Sequence, residues 1–202
     1  MKVGLHLLGL ICCLTWGHAN AFDLTPDRLN VSYGQYLPVV SDRGAEFNNY
    51  RLGLTWNLTD SLYESDSIRL GAYYEVAGSS FQSRLTSSDN PSPDGKDQAT
   101  VFSFSPVLRL TSSDSLWGTT SPYFDAGVGA AWLSEKDLEK KKKSPINMGG
   151  HWQFEIRFMA GLMFGERQQY ELGYGWLHYS NAGLNGQNES IDFQAITFGW
   201  SW

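Results

Sequence analysis

Apolar residues recur at every second position in several segments of this chain, and stretches rich in turn residues separate the segments. In residues 153–164, one parity starts with Gln153, Glu155 and Arg157, whereas the other is apolar: Phe154, Ile156, Phe158, Ala160, Leu162 and Phe164. A period of two is that of a β-strand whose faces meet different surroundings. Strand-like segments lie near 28–37, 50–57, 68–78, 100–110, 122–134, 153–164, 168–180 and 190–202. The pattern predicts an all-β fold of eight strands.

Alternation alone does not say which face of the strands is outside. A soluble periplasmic barrel that binds a lipophilic ligand would turn its apolar face inward, whereas a membrane barrel turns it outward. Here the apolar faces are long and rich in Phe and Trp, and the opposite faces mix Gly with Arg and Glu that can pair in a packed interior. The chain also ends in "TFGWSW", an aromatic-terminated last strand. We therefore predict an eight-stranded antiparallel transmembrane β-barrel of the bacterial outer membrane, with the soluble barrel as an alternative.

The amino-terminal segment has the features of a secretory signal peptide. Residues 1–21 carry one charge at Lys2, then an apolar run, and end in small residues at Ala21, where cleavage is expected. Both cysteines lie in this segment, so the mature chain is expected to have no disulfide. Residues 22–202 form one predicted barrel domain. The net charge of −6 becomes −7 without Lys2, which argues against nucleic acid as a partner.

Counting strands from a periplasmic amino terminus assigns each connection to one side of the membrane. The connections after the odd-numbered strands face the exterior, where loops are usually long: 38–49, 79–99, 135–152 and 181–189. Two periplasmic connections, 58–67 and 111–121, are longer than such barrels usually have. The exterior loop 135–152 contains four consecutive lysines, residues 140–143. We interpret them as a solvated run, with attraction of the phosphate groups of outer-leaflet lipid as the sharper alternative.

Chemically capable residues lie at the exterior ends of the last two strands. His178 and Ser180 share the parity of Leu172, Tyr174 and Trp176, so they are predicted to point outward, toward lipid. If the two strands pair symmetrically about residue 185, His178 faces Asp192, with Cβ atoms about 5 Å apart.

Asp192, His178 and Ser180 then line up as acid, base and nucleophile for attack on an ester. Ionisable groups on a lipid-facing wall are costly and indicate a functional site. The alternative is that they are polar groups tolerated in the headgroup zone.

The same residues carry a family resemblance. "HYSNAGL" at 178–184, followed by Asn188 and an acid at 192, resembles the PagL-type lipid A 3-O-deacylases of Gram-negative outer membranes. The resemblance covers nearly the whole mature chain and is weakest in the exterior loops. It extends to four strand segments: "YRLGLTW" (50–56), "FSFSPVL" (102–108), "PYFDAGVGAAW" (122–132) and "FEIRFMAGLMF" (154–164).

The resemblance implies a serine esterase that removes the ester-linked 3-hydroxyacyl chain at position 3 of lipid A from a site facing the outer leaflet. It implies Ser180 as nucleophile, His178 as general base and Asp192 as the acid. The best-known form of the family has glutamate at the last position, so the shorter aspartate is expected to hold its carboxylate further from His178.

The resemblance also implies an oxyanion hole. Its donors would be the side chain of Asn188 and the backbone N–H groups of Gly183 and Ala182, with Asn181 in a supporting role. No metal or cofactor is implied. The implied partner is lipid A, or lipopolysaccharide, in the outer leaflet, and a homodimer is left open. The alternative function is that of a non-catalytic small outer-membrane barrel with an adhesin or structural role.

Overall fold

The computed structural model describes residues 24–39, 44–142 and 144–202. The predicted signal peptide, 1–21, lies outside these ranges. Eight antiparallel strands form a closed barrel in the order β1-β10-β9-β8-β5-β4-β3-β2. These strands are β1 (Arg28–Tyr36), β2 (Phe47–Glu64), β3 (Ile68–Ser83), β4 (Gln98–Ser112), β5 (Ser121–Leu133), β8 (Trp152–Phe164), β9 (Tyr170–Ser180) and β10 (Ile191–Ser201). Within the described ranges, no helix is long and apolar enough to cross a membrane.

The eight strands lie where the alternation predicts them, but one connection differs. Residues 58–67 were expected to form a periplasmic connection, yet β2 continues to Glu64 and only a short turn separates it from β3. The pairing of β2 with β3 shifts register between Asn57 and Thr59 and again between Thr59 and Tyr63. Because each bulge inserts unpaired residues, it breaks the period-two pattern on which the prediction rested.

The outer wall of the barrel is apolar. Leu172 and Tyr174 on β9 are 51% and 56% exposed, respectively. Similar side chains cover the other strands: Val31, Leu52, Val76, Phe102, Leu108, Phe158, Ile196 and Phe198. A barrel with this polarity is suited to lipid rather than water. The predicted outward orientation of the apolar faces is therefore confirmed.

The interior holds buried charges that pair with one another. Arg51 donates to Glu75 at 2.8 Å and to Glu155 at 2.9 Å. Arg157 forms an ion pair with Glu75, and the Tyr179 hydroxyl donates to Glu155 at 2.9 Å. Charges removed from water are stable only when they are paired and hydrogen-bonded, and this network meets that condition.

A second group of charges lies further along the interior. Arg109 contacts Asp125 at 2.7 Å and also pairs with Glu171, which accepts a further bond from Arg28 at 2.6 Å. Together the two networks fill an eight-stranded interior with side chains.

Apolar side chains close the exterior end of the barrel above these networks. The buried cluster includes Phe47, Phe81, Tyr179 and Phe193 from the strands. Two short strands in the predicted exterior loop, β6 (Asp137–Leu138) and β7 (Ile146–Asn147), form a small hairpin. This hairpin adds Leu138 and Ile146 to the cluster and so packs over the opening of the barrel.

Candidate active site

Strands β9 and β10 place three polar side chains together on the outer wall: His178 and Ser180 from β9 and Asp192 from β10. Asp192 on β10 is the register partner of His178 on β9, as a symmetric turn predicts. On the other side of β9, Phe154 pairs with Ser180 and Ile156 pairs with His178. His178 and Ser180 therefore have Asp192 on the neighbouring strand on one side and the apolar side chains of Phe154 and Ile156 on the other.

A continuous line of hydrogen bonds joins the three side chains. His178 Nδ1 lies 2.7 Å from Asp192 Oδ1, and His178 Nε2 lies 2.8 Å from Ser180 Oγ. With the imidazole proton on Nδ1, that nitrogen donates to the carboxylate and Nε2 accepts the serine hydroxyl proton. The expectation that aspartate holds its carboxylate back from the imidazole is wrong. Asp192 and His178 lie directly opposite each other, so their side chains start close together. An aspartate, although shorter than a glutamate, therefore reaches the imidazole.

The site is shielded although it faces outward. Ser180 is 7% exposed and Asp192 is 4% exposed, far less than their outward neighbours Leu172 and Tyr174. Part of this shielding comes from Trp176, whose Nε1 donates to Asp192 Oδ1 at 3.0 Å. Sequence reasoning assigned Trp176 to the aromatic outer face and missed this contact. The sequence feature that could have indicated this contact is the position of Trp176 two residues before His178, on the same face of β9.

The loop after β9 is organised around Asn181. Its side-chain amide donates to the carbonyls of Met148 at 2.8 Å and Gln187 at 2.6 Å. Its backbone N–H donates to Asn188 Oδ1 at 3.0 Å, so the Asn188 side chain lies beside the residue that follows Ser180. With the Asn188 oxygen engaged in this way, the NH₂ group of the same amide is left as the donor that can be offered to a ligand.

The backbone donors expected in this loop are placed differently. Ala182 and Gly183 both have positive φ angles, 54° and 78°. The Gly183 N–H donates to Asn181 Oδ1 at 2.7 Å, so it is engaged within the loop. Its use as an oxyanion donor would require this bond to open, whereas the Asn188 amide needs no such change.

The comparisons with known proteins identify the family of this chain. A family model described as "Lipid A 3-O-deacylase (PagL)" matches residues 48–201. The chain belongs to the lipid A 3-O-deacylase (PagL) family. The resemblance inferred from the "HYSNAGL" motif and the strand segments is confirmed.

Two relatives show how similar this PagL-family chain is to known proteins. The lipid A deacylase PagL of Pseudomonas aeruginosa is 28% identical over 163 residues, which cover 79% of this chain and 81% of the relative. The crystal structure of the outer membrane enzyme PagL matches with a TM-score of 0.64 and 25% identity, over 86% of this chain and 99% of that chain. The protein is an outer-membrane β-barrel enzyme of the hydrolase class.

A third comparison shows the fold alone. The crystal structure of Neisserial surface protein A (NspA) matches with a TM-score of 0.50 and 10% identity, over 87% of this chain and 95% of that chain. Small barrels of this architecture therefore occur with little sequence in common, and function must be argued from the site.

In this PagL-family barrel, a buried clamp holds the loop that follows β9. Glu189 accepts hydrogen bonds from the Asn147 N–H at 2.8 Å and from Lys140 Nζ at 3.1 Å, and its own N–H donates to the Asn147 carbonyl at 3.0 Å. Lys140 is buried, and its backbone also bonds with Ser92 in the loop after β3. Three exterior loops are thus joined next to the site.

Lys140 departs from the solvated run that the composition predicts, whereas Lys141 is exposed as predicted. Lys140 is buried against Glu189, and Lys141 pairs with Glu46 and Asp89. The hydrogen bond to Glu46 raises the pKa of Lys141. Because protein carboxylates already neutralise these two lysines, they are poorly placed to attract lipid A phosphates. Of the other two, Lys142 is exposed and Lys143 lies outside the described residues.

No group of three or more potential metal ligands occurs among the described residues. The other histidine in the described ranges, His151, stacks on Trp132 and bonds through Nδ1 to the Leu133 carbonyl at 2.7 Å. It lies in the connection just before β8, and one of its ring nitrogens already has a backbone partner.

Proposed function

We propose that this enzyme hydrolyses the ester at position 3 of lipid A, releasing the 3-hydroxyacyl chain, by a Ser180–His178–Asp192 mechanism. Family membership supports the reaction, since the family is described as lipid A 3-O-deacylase. The observation that carries the mechanism is the unbroken line of hydrogen bonds from Ser180 Oγ through the imidazole to Asp192. In such a line the carboxylate orients the imidazole, and the imidazole takes the hydroxyl proton.

The reaction proceeds in two halves. Ser180 Oγ attacks the ester carbonyl carbon while its proton passes to His178 Nε2, and a tetrahedral intermediate with a negatively charged oxygen forms. The intermediate collapses, the bond from the carbonyl carbon to the sugar oxygen breaks, and His178 gives its proton to that oxygen. Water then attacks the acyl-serine in the same way and releases the 3-hydroxy fatty acid.

The oxyanion needs hydrogen-bond donors close to Ser180. The Asn188 amide is the best-placed side-chain donor, because its oxygen is tied to the backbone of Asn181, next to the serine. The Ala182 N–H, and the Gly183 N–H once it leaves Asn181, are the backbone donors that we propose. Asn181 positions this loop by bridging the Met148 and Gln187 carbonyls.

The location of the site supports lipid A as the substrate. Ser180 lies at the exterior end of β9, on the wall that carries the apolar side chains. The acyl esters of an outer-leaflet lipid lie near the boundary between its headgroup and its hydrocarbon, at the depth of the strand ends. A substrate held in the membrane can therefore present its ester to the wall without leaving the leaflet.

Mass spectrometry of lipid A tests the proposal. Expression of the wild-type protein in a Gram-negative host with unmodified lipid A should yield lipid A that lacks one 3-hydroxyacyl chain. Ser180→Ala and His178→Ala should leave lipid A intact. Ser80→Ala, an outward-facing serine on β3, and His151→Ala are matched controls that should retain activity.

Each contrary outcome rejects a specific part of the proposal. Deacylation by the Ser180→Ala protein would reject the assignment of the nucleophile. A correctly folded wild-type protein that leaves lipid A unchanged would reject the reaction and favour the non-catalytic alternative.

A further inference from the structure

We infer that Trp176 is a positioning residue for the catalytic acid, because its indole N–H holds the Asp192 carboxylate in the orientation that receives His178. This inference rests on the proposed Ser180–His178–Asp192 mechanism. The established family activity does not specify such a residue, and an outward-facing tryptophan on a barrel is ordinarily interpreted as a membrane anchor.

Two donors converge on one carboxylate oxygen. Trp176 Nε1 lies 3.0 Å from Asp192 Oδ1, and His178 Nδ1 lies 2.7 Å from the same atom. The donors come from successive outward positions of β9: His178 lies directly opposite Asp192, and Trp176 lies opposite Gln194. One hydrogen bond would leave the carboxylate free to swing about the donor, whereas donors from two separate side chains restrict its orientation.

The surroundings of Asp192 make a second donor necessary. The residue is 4% exposed, although it belongs to a wall that faces lipid. A carboxylate removed from water is costly unless donors satisfy it, and bonds to a charged acceptor are stronger than neutral ones. The indole N–H is a donor only and carries no charge, so it satisfies the carboxylate without competing with His178 as a base. The rest of the ring is apolar and suits the outer wall.

The indole is itself held in place. Trp176 is the register partner of Phe158 on β8, and the two rings stack with centroids 5.9 Å apart and planes 6° from parallel. On the other side, the indole lies 5.2 Å from the His178 ring at an angle of 30°. Through this stack, the position of β8 influences the orientation of the Asp192 carboxylate on β10, two strands away.

A second tryptophan provides a matched control. Trp132 on β5 stacks between Phe102 at 6.4 Å and His151 at 6.0 Å, an arrangement similar to that of Trp176 between Phe158 and His178. The carboxylate is what distinguishes the two settings. If tryptophan acts only as an aromatic anchor, replacement of either residue should have similar effects.

The experiment replaces Trp176 and Trp132 separately, each with phenylalanine and with 3-benzothienylalanine, which keeps the shape of indole but has sulfur in place of the N–H. Deacylation of lipopolysaccharide in mixed micelles gives kcat and KM. The rate at which a fluorophosphonate labels Ser180 gives a readout that is independent of lipid A. In the labelling step, the Oγ–P bond forms, the P–F bond breaks, fluoride leaves, and the serine proton passes to His178 Nε2.

Both substitutions at Trp176 should lower kcat and the labelling rate by about tenfold, the effect of losing one charge-assisted hydrogen bond, with KM nearly unchanged. Both substitutions at Trp132 should change neither quantity. In an Asp192→Ala background, Trp176→Phe should cause no further loss of labelling, because the group through which it acts is absent.

Several outcomes would overturn the inference. One is a wild-type labelling rate in the protein with benzothienylalanine at position 176. Another is an effect of the Trp176 substitutions on KM alone. A third is that Trp176→Phe lowers labelling as much in the Asp192→Ala background as in the wild type. Failure of the proposed substrate is distinguishable, because Ser180 would then be labelled in a Trp176-dependent manner while lipid A stays intact. A wild-type barrel in which Ser180 is never labelled would reject both the mechanism and the positioning role.

Discussion

Asp192 and His178 face each other directly across β9 and β10, and Asp192 Oδ1 lies 2.7 Å from His178 Nδ1. In the mechanism that we propose, this relationship sets which imidazole nitrogen is left to accept the proton of Ser180. It also shows that the aspartate side chain is long enough to reach the imidazole. The facing register already brings the two side chains together, so a longer acid is not required.

Substitution of Asp192 should separate the role of its charge from the role of its side-chain length. Asp192→Asn removes the carboxylate and should lower kcat by about 10³- to 10⁴-fold, the range known for a triad acid. Asp192→Glu keeps the charge but must fit an extra methylene beside Trp176, so we expect a loss of about tenfold or less. Release of 3-hydroxy fatty acid from purified lipopolysaccharide measures both. Equal losses in the two variants would show that geometry, not charge, dominates.

The clamp at Glu189 should affect the site through the loop that carries Asn188. Lys140→Met removes the ion pair between Lys140 and the partly buried Glu189 carboxylate, so the loop should loosen, kcat should fall several-fold, and proteases should cleave the loop faster. Lys142→Met, at an exposed position of the same run, should behave as wild type. If the lysines instead attracted phosphates, both variants would raise KM, and added salt would abolish the difference.

Close packing of β8 against β9 should make Gly175 intolerant of any side chain. A Cβ at this position would overlap the Phe158 carbonyl oxygen and crowd the Met159 backbone. Gly175→Ala should therefore destabilise the barrel by about 2 kcal/mol or more. Gly78→Ala is the control, because its Cβ would meet only the Phe102 ring at 3.8 Å. The melting temperatures of the two variants can be compared by heating each protein and detecting the folded barrel by its altered mobility on electrophoresis. Equal melting temperatures would contradict the close approach.

The buried ion network should matter far more than ion pairs at the barrel surface. Arg51→Met leaves Glu155 and Glu75 without their shared partner in the interior and should cost about 3–5 kcal/mol of unfolding free energy. The matched control is Arg69→Met, which breaks a half-exposed pair with Glu64 and should cost less than about 1 kcal/mol. Chemical denaturation in detergent measures both. A small effect of Arg51→Met would mean that water or a rearranged side chain compensates for its loss.

The β2–β3 hairpin shows where sequence patterns stop being informative. Alternation predicted both strands but not their periplasmic extension, because the bulges near Asn57 and Thr59 place polar residues out of phase. The exterior loops were harder still. The burial of Lys140 depends on Glu189 and on Ser92, residues far away in the chain whose proximity no local pattern reveals.

The sequence by itself determined the number of strands, the face that each turns outward, and the opposition of His178 and Asp192. These features follow from the period of two, from the aromatic and charged composition of the two faces, and from the length of one connection, which are all properties of the sequence. Only the tertiary structure decided that the Trp176 indole reaches the Asp192 carboxylate, that Gly183 donates to Asn181, and that the exterior loops clamp together. The first two contacts depend on side-chain and loop conformations that a period of two does not specify, and the clamp joins segments that are far apart in the chain.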